Sequence, residues 1–272
     1  MKLNRVLIVT KPRGEQRKRG PVAGSRAIET ERAKALARIE RKLRSMGITY
    51  TTVTRFAIPA TRSFDLIISF GGDGTFLAAA HKAGCVPILG VNAAPDHSVG
   101  FYCAAAPDTF DRVLARIISD KMKLREAPMI EARIDGRRLP CPALNDVLFA
   151  GSSPAETVRY RISANERSEE QKSSGVWIAS GPGSTAAIKS AGGRPMPMFS
   201  QRLQFLVREP CPRPGSRYRM TRGVIAQRRA IKIESHMRTA KAYIDGHWHA
   251  CAVKQGSTIS CRISKKRLKI FI

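Results

Sequence analysis

Acidic residues are scarce in this sequence. Across 272 residues, 21 Asp and Glu face 48 Lys and Arg, for a formal net charge of +27. No cluster of carboxylates stands ready to cage a hard divalent cation, which argues against an all-protein magnesium or calcium site. Aromatic residues are also few (6%) and do not interleave with the basic ones, so the stacking platforms of the common RNA-binding modules are missing. No apolar run reaches the ~18–20 residues needed to span a bilayer. The segment Met1–Thr10 has a brief apolar centre and no small-residue cleavage site after it, unlike a signal peptide. These absences predict a cytoplasmic protein without a membrane partner. Six cysteines (Cys85, Cys103, Cys141, Cys211, Cys251 and Cys261) include no CxxC pair and read as reduced thiols, not as a disulfide framework. Tandem repeats and low-complexity tracts do not occur.

The basic excess is spread along the chain. Residues 11–44 hold twelve Lys and Arg against four Asp and Glu, and the last nineteen residues hold six basic groups and no acidic one. Such a surface predicts non-specific affinity for polyanions and attraction of anionic nucleotides, without a specific nucleic-acid arm.

What is present suffices for one large or two modest domains: 43% of residues are hydrophobic. Leu3–Thr10 reads as a strand, and Lys11–Gly24 as a loop rich in Gly, Pro and basic residues. Leu36, Ile39, Leu43 and Met46 recur at three- and four-residue spacing in a helix over Ile28–Met46, ended by Gly47. Strands over Ile48–Val53, Asp65–Phe70 and Pro87–Val91 alternate with helices over Thr75–Ala83 and along Phe110, Val113, Leu114, Ile117 and Ile118. That alternation predicts an α/β domain, a doubly wound parallel sheet, over residues 1–122. From 123 to 272 the segments shorten and are punctuated by Asp135-Gly136 and Asp245-Gly246. They predict a mostly antiparallel β-sandwich, with its last strand a candidate to pack back on the first domain. Ser184–Ala191 reads as the one helix of that half.

The chemistry concentrates at Gly71-Gly72-Asp73-Gly74-Thr75, which follows the apolar run Phe64–Phe70. Glycines at a strand-to-helix turn let phosphate oxygens approach main-chain N–H groups, and the helix that follows aims its positive end at an anion. A carboxylate is out of place beside bare phosphate, so Asp73 needs another task, on a metal or on a hydroxyl proton. The arrangement reads as phosphoryl transfer, with a helix-capping turn as the plain alternative. His247-Trp248-His249 puts two imidazoles on one strand face; with no third ligand near in sequence, the pair reads as surface or packing.

Further segments narrow the reading. Gly90-Val91-Asn92 ends a strand, Gly100-Phe101 follows a short insert, and Ala143-Leu144-Asn145-Asp146-Val147 sets an amide beside a carboxylate. Ser173–Gly193 forms a second strand, glycine turn and helix-like stretch. In this order they resemble the NAD kinase family, most closely the branch with plant NADH kinase and animal mitochondrial NAD kinase. Ser174 stands where the commoner bacterial pattern has Asp, and Ala187 where it has an aromatic residue. The resemblance implies transfer of the γ-phosphoryl group of ATP, or of another polyphosphate donor, to the 2′-hydroxyl of the adenosine ribose of NAD or NADH. It implies that Asp73 orients and deprotonates that hydroxyl while Gly71, Gly72, Gly74 and Thr75 leave room for phosphates. Asn145 and Asp146 would bind the adenosine part, and Ser174, Thr185, Ala186 and Ser190 would line the dinucleotide pocket. Gly183 and Ser184 would offer a second helix start to a phosphate. Mg²⁺ would be held mainly by the donor's phosphates. A homodimer or homotetramer is implied too, with Asp245 and its hairpin as the part supplied to a neighbouring subunit. Two alternatives stand beside this: a lipid kinase sharing the glycine turn, and a non-catalytic nucleotide- or nucleic-acid-binding protein.

Overall fold

A computed structural model of the protein describes residues 1–12, 25–247 and 249–272, with Ser25 described in its backbone only. The predicted loop Lys11–Gly24 lies almost wholly outside the described residues, as does Trp248. The described chain divides into two units, Met1–Glu126 with Leu268–Ile272, and Ala127–Arg267.

In the first unit, strands β1 (Arg5–Thr10), β2 (Thr49–Thr54), β3 (Leu66–Gly71), β4 (Ile88–Asn92) and β5 (Cys103–Ala105) are joined by helices α1 (Ser25–Ser45), α2 (Asp73–Lys82) and α3 (Phe110–Ile118). β1 lies between β2 and β3, and β3 pairs β4, all parallel, with Ile8 opposite Ile68 and Ile68 opposite Leu89. Every residue of β3 and of β4 is buried, as the unbroken apolar runs of a sheet covered on both faces require. Ile39 and Leu43 of α1, and Val113, Leu114 and Ile117 of α3, close over Val6, Ile8, Leu66 and Ile68 to make the core. The chain's last residues return here: Ile270 pairs Ile88 in parallel, and Phe271 joins the same core.

The second unit is β-rich. It holds β6 (Leu124–Ile134, which begins just before the division), β7 (Arg137–Arg138), β8 (Asp146–Gly151), β9 (Val158–Ala164), β10 (Arg167–Ser173) and β11 (Gly175–Ala179). These are followed by α4 (Ala187–Ser190), β12 (Leu203–Arg208), β13 (Arg222–Ile225), β14 (Ala230–Ser235), β15 (Ala240–Ile244), β16 (His249–Val253) and most of β17 (Thr258–Phe271). One antiparallel sheet runs β13-β12-β11-β8-β15-β16, and a second runs β10-β9-β14-β17. Val147, Phe149 and Ile178 from the first sheet meet Tyr160, Ile162, Ile231 and Ile233 from the second in one buried core. The expected fold class, a parallel-rich α/β portion followed by an antiparallel β portion, is what the chain adopts.

Hairpin chemistry sets several registers. Asp135 (φ 48°) and Gly136 (φ 78°) both take left-handed backbone, as a two-residue turn demands, and Ile134 pairs Arg137. Asn165 (φ 49°) and Glu166 (φ 67°) do the same between β9 and β10, where Ala164 pairs Arg167. Two expectations need correction. Asp245-Gly246 does not make a two-residue turn: Ile244 pairs His249, so the strand resumes two residues later than its sequence suggests. The cause is Asp245 itself, whose N–H donates to Asp146 O on the neighbouring strand (3.0 Å). Ser184–Ala191 is not one helix either. A 3₁₀ turn over Pro182–Thr185 and the single turn α4 are separated at Ala186, whose ψ of −142° cannot continue a helix.

Candidate active site

β3 ends at Gly71 and α2 begins at Asp73, so the glycine motif occupies a strand-to-helix turn at the carboxyl end of a parallel sheet, the usual place for a ligand. Gly72 is the N-cap with extended backbone. The first intrahelical bonds run from Thr75 N and Phe76 N to Gly72 O (3.0 and 3.2 Å), so the N–H groups of Asp73 and Gly74 precede the helix's own ladder. The glycines are required by contact. A Cβ on Gly71 would overlap the Thr75 hydroxyl, and one on Gly72 would overlap Ser98 Oγ.

Asp73 is half-buried, and its Oδ1 accepts the Tyr102 N–H at 3.1 Å. One oxygen is thereby fixed, which aims the other as a proton acceptor. Asn92, at the end of β4, supports the opposite wall: its Nδ2 donates to Ser98 O (2.9 Å), and its Oδ1 accepts Ala94 N–H (3.2 Å). Cys103 sits behind the turn; burial first, and the Asp73 charge second, push its thiol up to about 12. A cleft of about 360 Å³ opens here, lined by Gly71–Thr75 and Asn92, with Lys11, Arg32 and Arg55 supplying positive charge and Asp73 the one carboxylate among the described lining residues. Tyr102, Ser98 and Arg55 are site residues that the sequence did not disclose. Only the left-handed Gly100 (φ 59°), which turns Tyr102 N–H toward Asp73, left a trace in it.

The remaining candidates lie in the second unit and several converge. Asn145 precedes β8 and Asp146 begins it. The Asp245 carboxylate accepts three successive main-chain N–H groups, from Leu144 (2.7 Å), Asn145 (2.7 Å) and Asp146 (3.0 Å). On the other side, Ser180 N–H donates to Asn145 O (2.9 Å), and Ser180 Oγ donates to Leu144 O. Gly183 packs so closely that a Cβ would overlap the Asn145 carbonyl. The segment carrying Asn145 is thus clamped between Asp245 and the Ser180–Gly183 turn. Asp245 is buried, and its carboxylate is engaged by these three main-chain groups of its own chain.

The expectation for Gly183 and Ser184 also changes. Gly183 N–H donates to Ser180 Oγ (3.1 Å), Ser184 N–H donates to Gly181 O (3.2 Å), and both residues are buried. No helix start with open donors exists there; the two residues shape the turn. Thr185 and Ala186 remain half-buried, while Ser190 is exposed at the end of α4. Ser174, half-buried, joins β10 to β11 and donates its N–H to Arg208 O (3.0 Å).

Burial, reinforced by the Asp245 charge, pushes Asp146 up to about 8. A carboxyl whose folded pKa exceeds its unfolded value of about 3.9 keeps its stabilising contribution below the unfolded value and loses it as pH rises through the folded one. Between roughly pH 4 and 8, this residue should lower stability by up to about 1.4 kcal/mol per pH unit. Urea unfolding across that range should show a slope that Asp146→Asn flattens; an unchanged slope would place the proton elsewhere.

Residues 7–122 match the family model described as the ATP-NAD kinase N-terminal domain. A probable NADH kinase of Oryza sativa subsp. japonica is 30% identical over 230 residues, 76% of this chain and 71% of that protein. The NADH kinase of Arabidopsis thaliana is 32% identical over 245 residues, 78% of this chain and 74% of that protein. Among solved structures, an NAD kinase from Archaeoglobus fulgidus in complex with ATP superposes with a TM-score of 0.74 at 21% identity, covering 98% of this chain and 93% of that one.

Proposed function

Because this chain belongs to the NAD kinase family, we propose that it is an NAD(H) kinase. It transfers the γ-phosphoryl group of ATP to the 2′-hydroxyl of the adenosine ribose of NAD or NADH and releases NADP or NADPH. The observation that carries the reading is the Asp73 carboxylate, fixed by Tyr102 N–H at the head of α2 inside a glycine-walled cationic cleft.

In-line transfer to a secondary alcohol needs a positioned acceptor, a proton sink and neutralisation of the donor's charge. Asp73 is the proton sink. The main-chain N–H groups at the start of α2 and the cations Lys11, Arg32 and Arg55 face the donor phosphates. Asn145, and Asp146 with its raised pKa, hold the adenosine side; a protonated Asp146 donates where an ionised one accepts. A single carboxylate among the described residues of the cleft fits Mg²⁺ that arrives on the donor's phosphates, where it would supply the remaining charge neutralisation. The same reading includes a homodimer or homotetramer.

With Mg-ATP, the purified enzyme should convert NAD, NADH or both to the 2′-phosphorylated product. Diacylglycerol and a dinucleotide already phosphorylated at the 2′ position should stay unchanged. Absence of product from both NAD and NADH at millimolar concentration would remove the reading. Phosphorylation of the lipid would replace it with the lipid-kinase alternative.

A further inference from the structure

Along β9 the side chains alternate: Val158, Tyr160 and Ile162 enter the core, and Arg159 and Arg161 face out. The strand register then decides what each arginine meets. Arg161 lies opposite Glu170 of β10 and Glu234 of β14, and it pairs with both (2.6 and 3.7 Å). Arg159, one rung along the same face, lies opposite Lys172. On its other side His236 donates its main-chain N–H to Arg159 O (3.0 Å), while the His236 ring is 3.2 Å from Glu170. One rung is thus charge-compensated. The next sets two cations directly opposite each other, an arrangement that destabilises a strand pair.

The uncompensated rung lines a cavity of about 620 Å³ together with residues of the Cys211–Tyr218 segment. That segment is pinned to β10 at Lys172: Cys211 N–H donates to Lys172 O (2.8 Å), and Lys172 N–H donates to Tyr218 Oη (2.9 Å). It contributes a third cation, Arg213. Among the described residues, the side chains of Arg159, Lys172 and Arg213 have no hydrogen-bond or ion-pair partner. The neutral polar groups of the lining are already engaged within the chain. Gln171 Oε1 accepts the Tyr160 hydroxyl (3.0 Å) and its Nε2 donates to Met220 O (3.1 Å). Tyr218 Oη donates to Cys211 O (3.2 Å), and Ser216 Oγ donates to Arg213 O (2.8 Å). Glu170, the acidic group of the lining, is taken up by Arg161 and His236. What the pocket has left to offer is positive charge.

We propose that this pocket binds a small phosphate-bearing anion on Arg159, Lys172 and Arg213. Two guanidinium forks offer paired N–H donors that match phosphate oxygens, and the ammonium adds a point charge. A dianion between Arg159 and Lys172 turns their repulsion into shared attraction, as Glu170 and Glu234 do for Arg161 one rung away. The volume is that of a site for a nucleotide-sized ligand. A wall already fixed at Lys172 lowers the ordering cost of binding. The inference does not depend on the kinase reading: all of these residues belong to the second unit, and the test needs no turnover.

Cys211 lines the pocket with an exposed thiol and supplies the readout. Full-length reduced protein is alkylated with iodoacetamide, and labelling of the Cys211 peptide is followed by mass spectrometry. The probes are inorganic pyrophosphate and adenosine 5′-monophosphate; adenosine and sodium chloride at matched ionic strength are the controls. An anion that covers the thiol slows labelling by one plus the ratio of its concentration to Kd, about tenfold at ten times Kd. Labelling of Cys85, an exposed thiol of the first unit, should not change. Arg159→Gln/Lys172→Gln should weaken the protection at least roughly tenfold, the scale of a lost charge-assisted hydrogen bond. Arg167→Gln/Lys232→Gln, an equal loss of charge at exposed positions of the same sheet, should leave it intact. Circular dichroism establishes that the variants fold, and Arg213→Gln provides the same comparison from the loop. Protection by pyrophosphate assigns a free phosphate as ligand, and protection by the monophosphate alone assigns a phosphate ester. Three outcomes would overturn the site: no slowing by either probe at millimolar concentration, equal slowing by adenosine or chloride, or parent-like protection in Arg159→Gln/Lys172→Gln.

Discussion

Asp73→Asn should lower kcat by roughly 10²–10⁴-fold while the protein stays folded and still binds both nucleotides. The amide is nearly isosteric, and its Oδ1 can still accept the Tyr102 N–H that fixes the wild-type carboxylate at 3.1 Å. What disappears is proton affinity at the second oxygen. A loss of that size is about 3–5 kcal/mol of transition-state stabilisation. It should fall on kcat and leave KM for the dinucleotide nearly unchanged, the signature of an interaction made only in the transition state. KM for ATP should hold or drop, since a negative charge has left the cationic cleft proposed to take the phosphates. A second readout is independent of turnover: Asp73 is the lesser of two causes raising Cys103, so the variant's thiol should react with iodoacetamide at a lower pH. Near-normal kcat would take Asp73 out of the base role, whatever happened to Cys103.

That residue was legible because its surroundings state a conformation and a chemistry together. An apolar run, three glycines and one carboxylate leave little choice but a strand, a tight turn and a helix with its donors forward. The alternation of elements made the parallel sheet legible for the same reason, through local periodicity. Where the sequence misled, a distant contact decided the outcome. Ser184–Ala191 has helical composition, yet Gly183 must lie against the Asn145 carbonyl and Ala186 leaves the helical region, so the stretch is broken into two short turns. Asp245-Gly246 looks like a hairpin tip, yet the carboxylate is buried on three N–H groups about a hundred residues earlier, and the strand pairing shifts with it. The role of Tyr102 depends on its main chain, which no side-chain pattern advertises. Short-range signals wrote the glycine turn; long-range packing wrote the seat of Asn145.

The seat of Asn145, proposed above as the dinucleotide side, therefore rests on a glycine without any catalytic group, and Gly183→Ala should damage it more than substitution of any exposed residue there. The added methyl would overlap the carbonyl oxygen, carbonyl carbon and Cα of Asn145, all of them main-chain atoms that no rotamer change can move aside. Either the Leu144–Asp146 segment or the Gly181–Thr185 turn has to shift. The first is pinned by the three N–H bonds to Asp245, the second by Gly183 N–H on Ser180 Oγ and by Ser184 Oγ on Gly181 O (2.7 Å). Relief thus breaks buried hydrogen bonds in addition to the ordinary cost of overpacking. The loss should reach or exceed about 3 kcal/mol, lowering Tm by roughly 6–12 °C. The displaced Asn145 should also raise KM for the dinucleotide more than KM for ATP, because the donor cleft of the first unit keeps its own walls. Ser190→Ala, at an exposed position on α4, is the matched control. It should leave stability within about 0.5 kcal/mol and show whether that hydroxyl contributes to dinucleotide KM by itself. If Gly183→Ala melted like wild type and kept its dinucleotide KM, the tight seat of Asn145 would have no bearing on binding, and the clamp built from Asp245 and Ser180 would be a feature of the fold alone.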